Sequence, residues 1–151
     1  MNDERKRGDY TISTDPSRID IDLVYAFLTR SYWAAGITRE VVERSIEHSM
    51  CFGVYRGEEQ VGFARVITDY ATTAYLADVF ILEAHRGRKL AVWLMETIVG
   101  HPALQRLRVW RLATKDAHGL YQKVGFRALA HPERLMEIID PAVYAGESPE
   151  G

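Results

Sequence analysis

A chain of 151 residues, 47% of them hydrophobic, 26% charged and 11% aromatic, fits one globular domain of about 100–200 residues and argues against two. The single cysteine, Cys51, excludes an intramolecular disulfide and suits a reducing cytoplasm; the charged opening MNDERKRGDY lacks a secretory signal's apolar stretch, and no run reaches the roughly 18 apolar residues of a membrane span. The formal charge of −2 hides a division: residues 85–127 hold nine Arg or Lys against Glu96 and Asp116, which points to a local anionic ligand rather than to nucleic acid or a membrane surface.

Residues 1–9 are polar and 145–151 small and acidic, so both ends are expected to fray around a single domain over 10–144. Tyr10–Thr14 opens as a short extended segment. Asp20 is placed to cap a helix whose apolar positions Val24, Phe27 and Leu28 share one face, ended by Gly36. Thr38 starts a second helix with Val41, Val42 and Ile46 inward. Segments 51–55, 61–69 and 74–82, rich in Val, Ile, Phe and Tyr and separated by polar turns, predict an antiparallel meander.

From about Arg88 to Val99 the period changes to that of an amphipathic helix, with Leu90, Leu94 and Ile98 spaced by four and Gly100 as its stop. A strand over 107–114, a short helix over 116–123 with Asp116 as its cap, and strands over 126–130 and 135–139 follow. The passage from strand 74–82 through the helix to strand 107–114 is a βαβ crossover, which makes those strands parallel neighbours. The predicted fold class is α+β: a mixed central sheet of six to seven strands flanked by about four helices.

The turn between strand 74–82 and the following helix concentrates the chemistry. A helix start exposes unpaired N–H groups and the positive end of its dipole, here at residues of about 87–92, and Arg86, Arg88 and Lys89 crowd the same turn. A pyrophosphate matches that combination; the plainer reading is a solvated basic turn.

This turn resembles the acetyl-CoA pyrophosphate motif of the GCN5-related N-acetyltransferase (GNAT) superfamily, Gln/Arg-x-x-Gly-x-Gly/Ala. Residues 86–91 read RGRKLA, so that Arg86 and Ala91 match while Lys89 replaces the usual glycine. The family's second signature, Ala-x-x-x-Tyr followed by Gly-Phe, is matched by AHGLYQKVGF at 117–126, one helix and one strand later as in the family. The resemblance covers about residues 51–126 motif by motif. A helical backbone over 88–91 would need no positive φ, so Lys89 is expected to serve as an added cation rather than to obstruct the phosphates.

The resemblance implies direct transfer of an acetyl group from acetyl-CoA to an acceptor, usually an amine, in a ternary complex. It implies that the backbones of Val79, Phe80 and Ile81 hold the pantetheine arm, with an N–H near Ile81 polarising the thioester carbonyl. The N–H groups of Gly87, Arg88, Lys89, Leu90, Ala91 and Val92 would take the pyrophosphate, with Thr114 also on the cofactor side. Tyr121 would protonate the departing thiolate, its reference phenol pKa of about 10 exceeding the thiol's of about 8.5. Without the resemblance, the favoured reading of Tyr121 is a residue that packs against the sheet.

A protonated amine must lose a proton before it attacks. Asp78, within the apolar strand YLADVFIL, is the candidate base, with a water chain as the alternative; such a carboxylate must be exposed in a cleft, paired or raised in pKa, and Arg65 or Arg111 are the competing structural partners. On the acceptor side, Tyr32 and Trp33 before Gly36, together with Tyr70, are candidates for an aromatic wall. The five histidines form no close ligand pair, so no metal is expected, and Cys51 reads as a small core residue.

The leading function is therefore an acetyl-CoA-dependent N-acetyltransferase acting on an amine of a small molecule or peptide. A non-catalytic acetyl-CoA-binding sensor is the alternative, and a nucleic-acid-binding surface ranks below both. The expected partners are acetyl-CoA and the amine, with no nucleic acid or membrane and a possible homodimer through the C-terminal edge strands.

Overall fold

The computed structural model describes residues 2–144. Six strands, β1 (Glu4–Arg7), β2 (Tyr10–Ser13), β3 (Met50–Arg56), β4 (Glu59–Thr68), β5 (Thr73–Ile81) and β6 (Val109–Arg111), form one sheet whose spatial order follows the chain. Neighbours run antiparallel until β5 and β6, which are parallel because a helix crosses between them. The α-helices are α1 (Ile21–Leu28), α2 (Arg39–Glu47), α3 (Leu90–Val99) and α4 (His118–Gln122).

Local chemistry starts the first two helices as expected: Asp20 Oδ1 accepts from the Leu23 N–H (3.1 Å), and Thr38 Oγ1 from that of Val41 (3.3 Å). On one face of the sheet α1 and α2 bury Val24, Leu28, Val42 and Ile46 against Phe63 and Phe80. On the other, α3 packs Leu90, Leu94, Met95 and Ile98 onto Phe52, Val54, Ala64 and Val66. Helices on both faces explain why the central strands are apolar on both sides. Cys51 is buried among the α1–α2 side chains. Among the described residues no helix is long and apolar enough to cross a membrane.

Both chain ends depart from expectation. Glu4–Arg7 does not fray but pairs with Tyr10–Ser13 as the sheet's outer strand. An edge strand can expose all its charged side chains because backbone groups, not apolar burial, hold it. Asp3 fastens its start: its N–H donates to Thr14 Oγ1 (2.7 Å), and its carboxylate lies 2.6 Å from Nε2 of buried His101. The His101 ring is itself fixed by its Nδ1, which accepts from the Ala103 N–H (3.0 Å). At the other end, the strands expected over 126–130 and 135–139 do not form; these residues are irregular and join no ladder of the sheet. The predicted tail, 145–151, lies outside the described residues, as does Met1.

Leu94 is fully buried where α3 meets the sheet. Leu94→Ala is expected to lower unfolding free energy by about 2–5 kcal/mol, measured by urea denaturation, with the m-value unchanged.

Candidate active site

The site begins with a fault in the β4–β5 ladder. Phe63 pairs with Phe80 and Arg65 with Ala77, so Asp78 and Val79 stand opposite the single residue Ala64. This is a β-bulge, and Asp78 takes it up with φ +57°, in the left-handed region. Its carboxylate is held from both sides: Oδ2 accepts from Arg65 Nε (2.9 Å) and Oδ1 from Trp33 Nε1 (2.9 Å), while Arg65 Nη1 donates to Ser49 Oγ (3.1 Å). The Asp78 and Arg65 side chains are only 9% and 17% exposed. The predicted base is thus the ion-paired partner of Arg65, tying the loop after α1 to the sheet.

Past the bulge the sheet opens. β6 pairs with β5 only at Thr73, Ala74 and Tyr75, and no ladder joins them beyond. The Leu82 N–H donates to Val61 O (2.8 Å), so by the alternation of an antiparallel ladder Phe80 also directs its backbone to β4, while Val79 and Ile81 direct theirs to the open edge. Of the three residues expected to hold the pantetheine arm, two therefore offer backbone groups. Phe80 offers its ring instead, stacked on Phe27 at 3.9 Å between centroids. The Ile81 carbonyl accepts from Arg86 Nε (2.9 Å), so Arg86 braces the turn against the end of β5.

The turn itself corrects one expectation. Lys89 is not helical: it is the N-cap of α3, with φ +62° and no side-chain cap. Gly87 also has positive φ, +81°. The position where glycine is usual in the motif does demand a left-handed backbone, and Lys89 occupies it against the steric cost to a Cβ. From Gly87 to Val92, six successive N–H groups make no hydrogen bond with any described residue; the first donor of the helix ladder is Trp93, to Lys89 O (3.2 Å). Five of these residues, all but Arg88, line a cleft of about 510 Å³ bounded also by Ile81, His85, Leu120 and Tyr121. Arg88 is exposed and lies outside its lining.

A second cleft, of about 710 Å³, lies between the loop after α1 and residues 113–117, walled by Tyr32, Trp33, Tyr75, Asp78 and Tyr121. Thr114 lines this cleft rather than the first, its Oγ1 accepting from the Ala117 N–H (3.0 Å) just before α4. Ala117, not Asp116, is the N-cap of α4. Tyr32 Oη accepts from the Lys115 N–H (3.2 Å), and Lys115 Nζ lies 5.2 Å from the Tyr32 ring centroid. Tyr70 takes no part: it is exposed in the β4–β5 turn, where the Asp69 carboxylate accepts from the N–H groups of Ala71, Thr72 and Thr73. Tyr75 stands on the wall instead. Strand alternation carries that signal, since the inward Ala74 and Leu76 put Tyr75 on the opposite face.

Tyr121 lines both clefts. It is half-buried, its ring edge-on to Phe126 at 6.0 Å, and its hydroxyl makes no hydrogen bond with the described residues. Burial, with smaller contributions from Tyr32 and Asp116, pushes its phenol above the usual value. Cys51 lies apart, its thiol pushed up to about 12 by burial and so unsuited to nucleophilic work. No group of three or more metal-binding side chains comes together among the described residues.

Residues 47–128, more than half of the chain, match the family model of the acetyltransferase (GNAT) domain. The chain belongs to the GNAT acetyltransferase family. Its fold superposes on a GNAT-family protein of Xanthomonas campestris pv. campestris with a TM-score of 0.87 and 48% identity, over 90% of this chain and 96% of that one. It is 32% identical to the Gibberella zeae protein FG08082, named as an acetyltransferase, over 80% of this chain and 81% of the other. A Clostridium acetobutylicum protein crystallised with acetyl-CoA shares the fold at 15% identity, with a TM-score of 0.62 over 92% of this chain and 96% of that one.

The left-handed Lys89 yields a stability prediction. Lys89→Gly relieves about 1–2 kcal/mol of steric cost but adds unfolded-state entropy, so stability should hold or rise by up to about 1 kcal/mol. Lys89→Val, β-branched at positive φ, should lose at least about 1 kcal/mol. Thermal and urea unfolding of the two variants checks the contrast.

Proposed function

We propose that this chain is an acetyl-CoA-dependent N-acetyltransferase that carries an acetyl group directly to an amine of a small molecule or peptide within a ternary complex. The observation that supports this most is Tyr121 at the meeting point of two clefts, one lined by five residues with unpaired N–H groups and the other by aromatic rings.

The N–H groups of Gly87 to Val92 hold the pyrophosphate at the positive end of the ten-residue α3. The open edge of β5 takes the pantetheine arm in the manner of an added strand, through the Val79 and Ile81 backbones. The Ile81 N–H stabilises negative charge on the carbonyl oxygen as the amine nitrogen bonds to the carbonyl carbon. As the carbon–sulfur bond breaks, the thiolate takes the Tyr121 proton, and water returns a proton to the phenolate. Because burial raises its pKa, Tyr121 stays protonated throughout the neutral range.

The ammonium proton passes to water in the open acceptor cleft. Asp78 has each oxygen engaged by Trp33 or Arg65 and acts as the strut that keeps the cleft's aromatic wall in place. Breaking such a half-buried pair leaves a charge without its partner, at a typical cost of about 3–5 kcal/mol.

Tyr121→Phe preserves the ring and deletes the proton donor. It is expected to lower kcat by about 10²-fold or more with little change in the KM for acetyl-CoA, followed by release of free thiol with an amine library. In the parent protein the alkaline loss of kcat due to this group should fall above about pH 10. Equal turnover by the variant across the pH profile removes Tyr121 from the chemistry. Tight acetyl-CoA binding without transfer to any amine would favour the sensor reading.

A further inference from the structure

Among the described residues, two carboxylates line the clefts that meet at Tyr121, those of Asp78 and Asp116. Asp78 is committed to Arg65 and Trp33. Asp116 borders both clefts and is committed to nothing: it is exposed, it caps no N–H group at the start of α4, and it forms no ion pair with a described residue. The N–H it would be placed to serve, that of Ala117, is taken by Thr114 Oγ1. Its neighbour Lys115 turns Nζ to the face of Tyr32 instead. An unpaired acid on an open surface is ordinary. This one borders the cleft assigned to an anionic cofactor, whose binding its charge opposes, so a ligand of the opposite sign must account for it if it is functional.

The acceptor side supplies the rest of such a ligand's site. Tyr32, Trp33 and Tyr75 are 58%, 42% and 41% exposed although all three border one cavity, so their ring faces are open to an apolar guest. The Lys115 N–H donates to Tyr32 Oη (3.2 Å), which holds the backbone beside Asp116 against that aromatic wall. The Asp116 charge also reaches Tyr121, adding to the burial that chiefly raises its phenol. We propose that the Asp116 carboxylate accepts hydrogen bonds from the ammonium of the acceptor, while Tyr32, Trp33 and Tyr75 receive the apolar body attached to it. The acceptor class is thus a primary alkyl ammonium bearing an apolar or aromatic group, rather than an aniline, which is uncharged at neutral pH. The assignment names the substrate class for the acetyl-transfer reading and rests on it.

Isothermal titration calorimetry of the full chain tests the assignment, with phenethylamine, an ammonium at neutral pH, and its uncharged counterpart phenethyl alcohol as probes. The parent is expected to bind the ammonium at least about 10-fold more tightly than the alcohol. Asp116→Asn should abolish that preference without changing the affinity for the alcohol, and Asp116→Glu, which keeps the charge, should retain most of it. Asp116 is exposed and bonds no described residue, so thermal unfolding of both variants should match the parent's. In turnover of phenethylamine with acetyl-CoA, Asp116→Asn should lose efficiency through the amine KM rather than through kcat. A parent that does not distinguish the ammonium from the alcohol overturns the assignment, as does a preference that survives Asp116→Asn. Acetyl transfer to amines alongside either result would sink the assignment alone. An ammonium preference that depends on Asp116, without acetyl transfer to any amine, would leave the cation site standing and overturn the acetyl-transfer reading.

Discussion

The separation of β5 from β6 is the constraint on which the rest of the molecule depends. The two strands share three paired positions and then diverge, and the divergence coincides with the bulge at Asp78 and Val79. A bulge sharpens twist and re-aims the backbone; here it is pinned by Asp78 in a left-handed conformation, with Arg65 on one carboxylate oxygen and Trp33 on the other. Both clefts exist because of that opening, and Tyr121 reaches both because α4 sits at its mouth. Asp78 thus shapes the site as a support, and its strained backbone is maintained by the packing of α1 and α2 on the same face.

The near-neutral net charge takes on structure once the fold is known. The basic segment does not form one patch. Arg86 braces the end of β5, Lys89 is the N-cap of α3 beside the 510 Å³ cleft, and Lys115 lies against Tyr32. Arg108, Arg111 and Arg127 line a groove outside β6. Backbone N–H groups, rather than the arginine side chains, provide the most concentrated donors for a pyrophosphate, and they depend on no particular side chain.

Much of the fold was legible because periodicity and turn chemistry agree with it. The Asp20 and Thr38 caps, the meander, the four-residue spacing of Leu90, Leu94 and Ile98 and the parallel crossover all follow from local rules that tertiary structure leaves intact. The family motifs placed Tyr121 and the turn at 86–91, and the resemblance over 51–126 falls within the matched residues 47–128. The misses depend on backbone pairing and turn geometry, which side-chain patterns do not carry. Glu4–Arg7 is a strand because β2 supplies its ladder, not because of its own side chains. The 126–130 and 135–139 segments have strand-like composition but join no ladder of the sheet. Lys89 looks helical by composition, whereas the geometry of the turn makes it left-handed. Tyr70, expected on the aromatic wall, is exposed in the turn that Asp69 closes on Ala71 and Thr72.

The central claim is that the open edge of β5 and the start of α3 form one continuous acetyl-CoA site ending at Tyr121. A crystal structure of this chain with acetyl-CoA tests it most directly. The account predicts the pyrophosphate on the N–H groups of Gly87 to Val92, the thioester carbonyl facing the Ile81 N–H and the sulfur within hydrogen-bonding reach of the Tyr121 hydroxyl. A pyrophosphate held elsewhere, or a thioester directed away from the Ile81–Tyr121 gap, would contradict it.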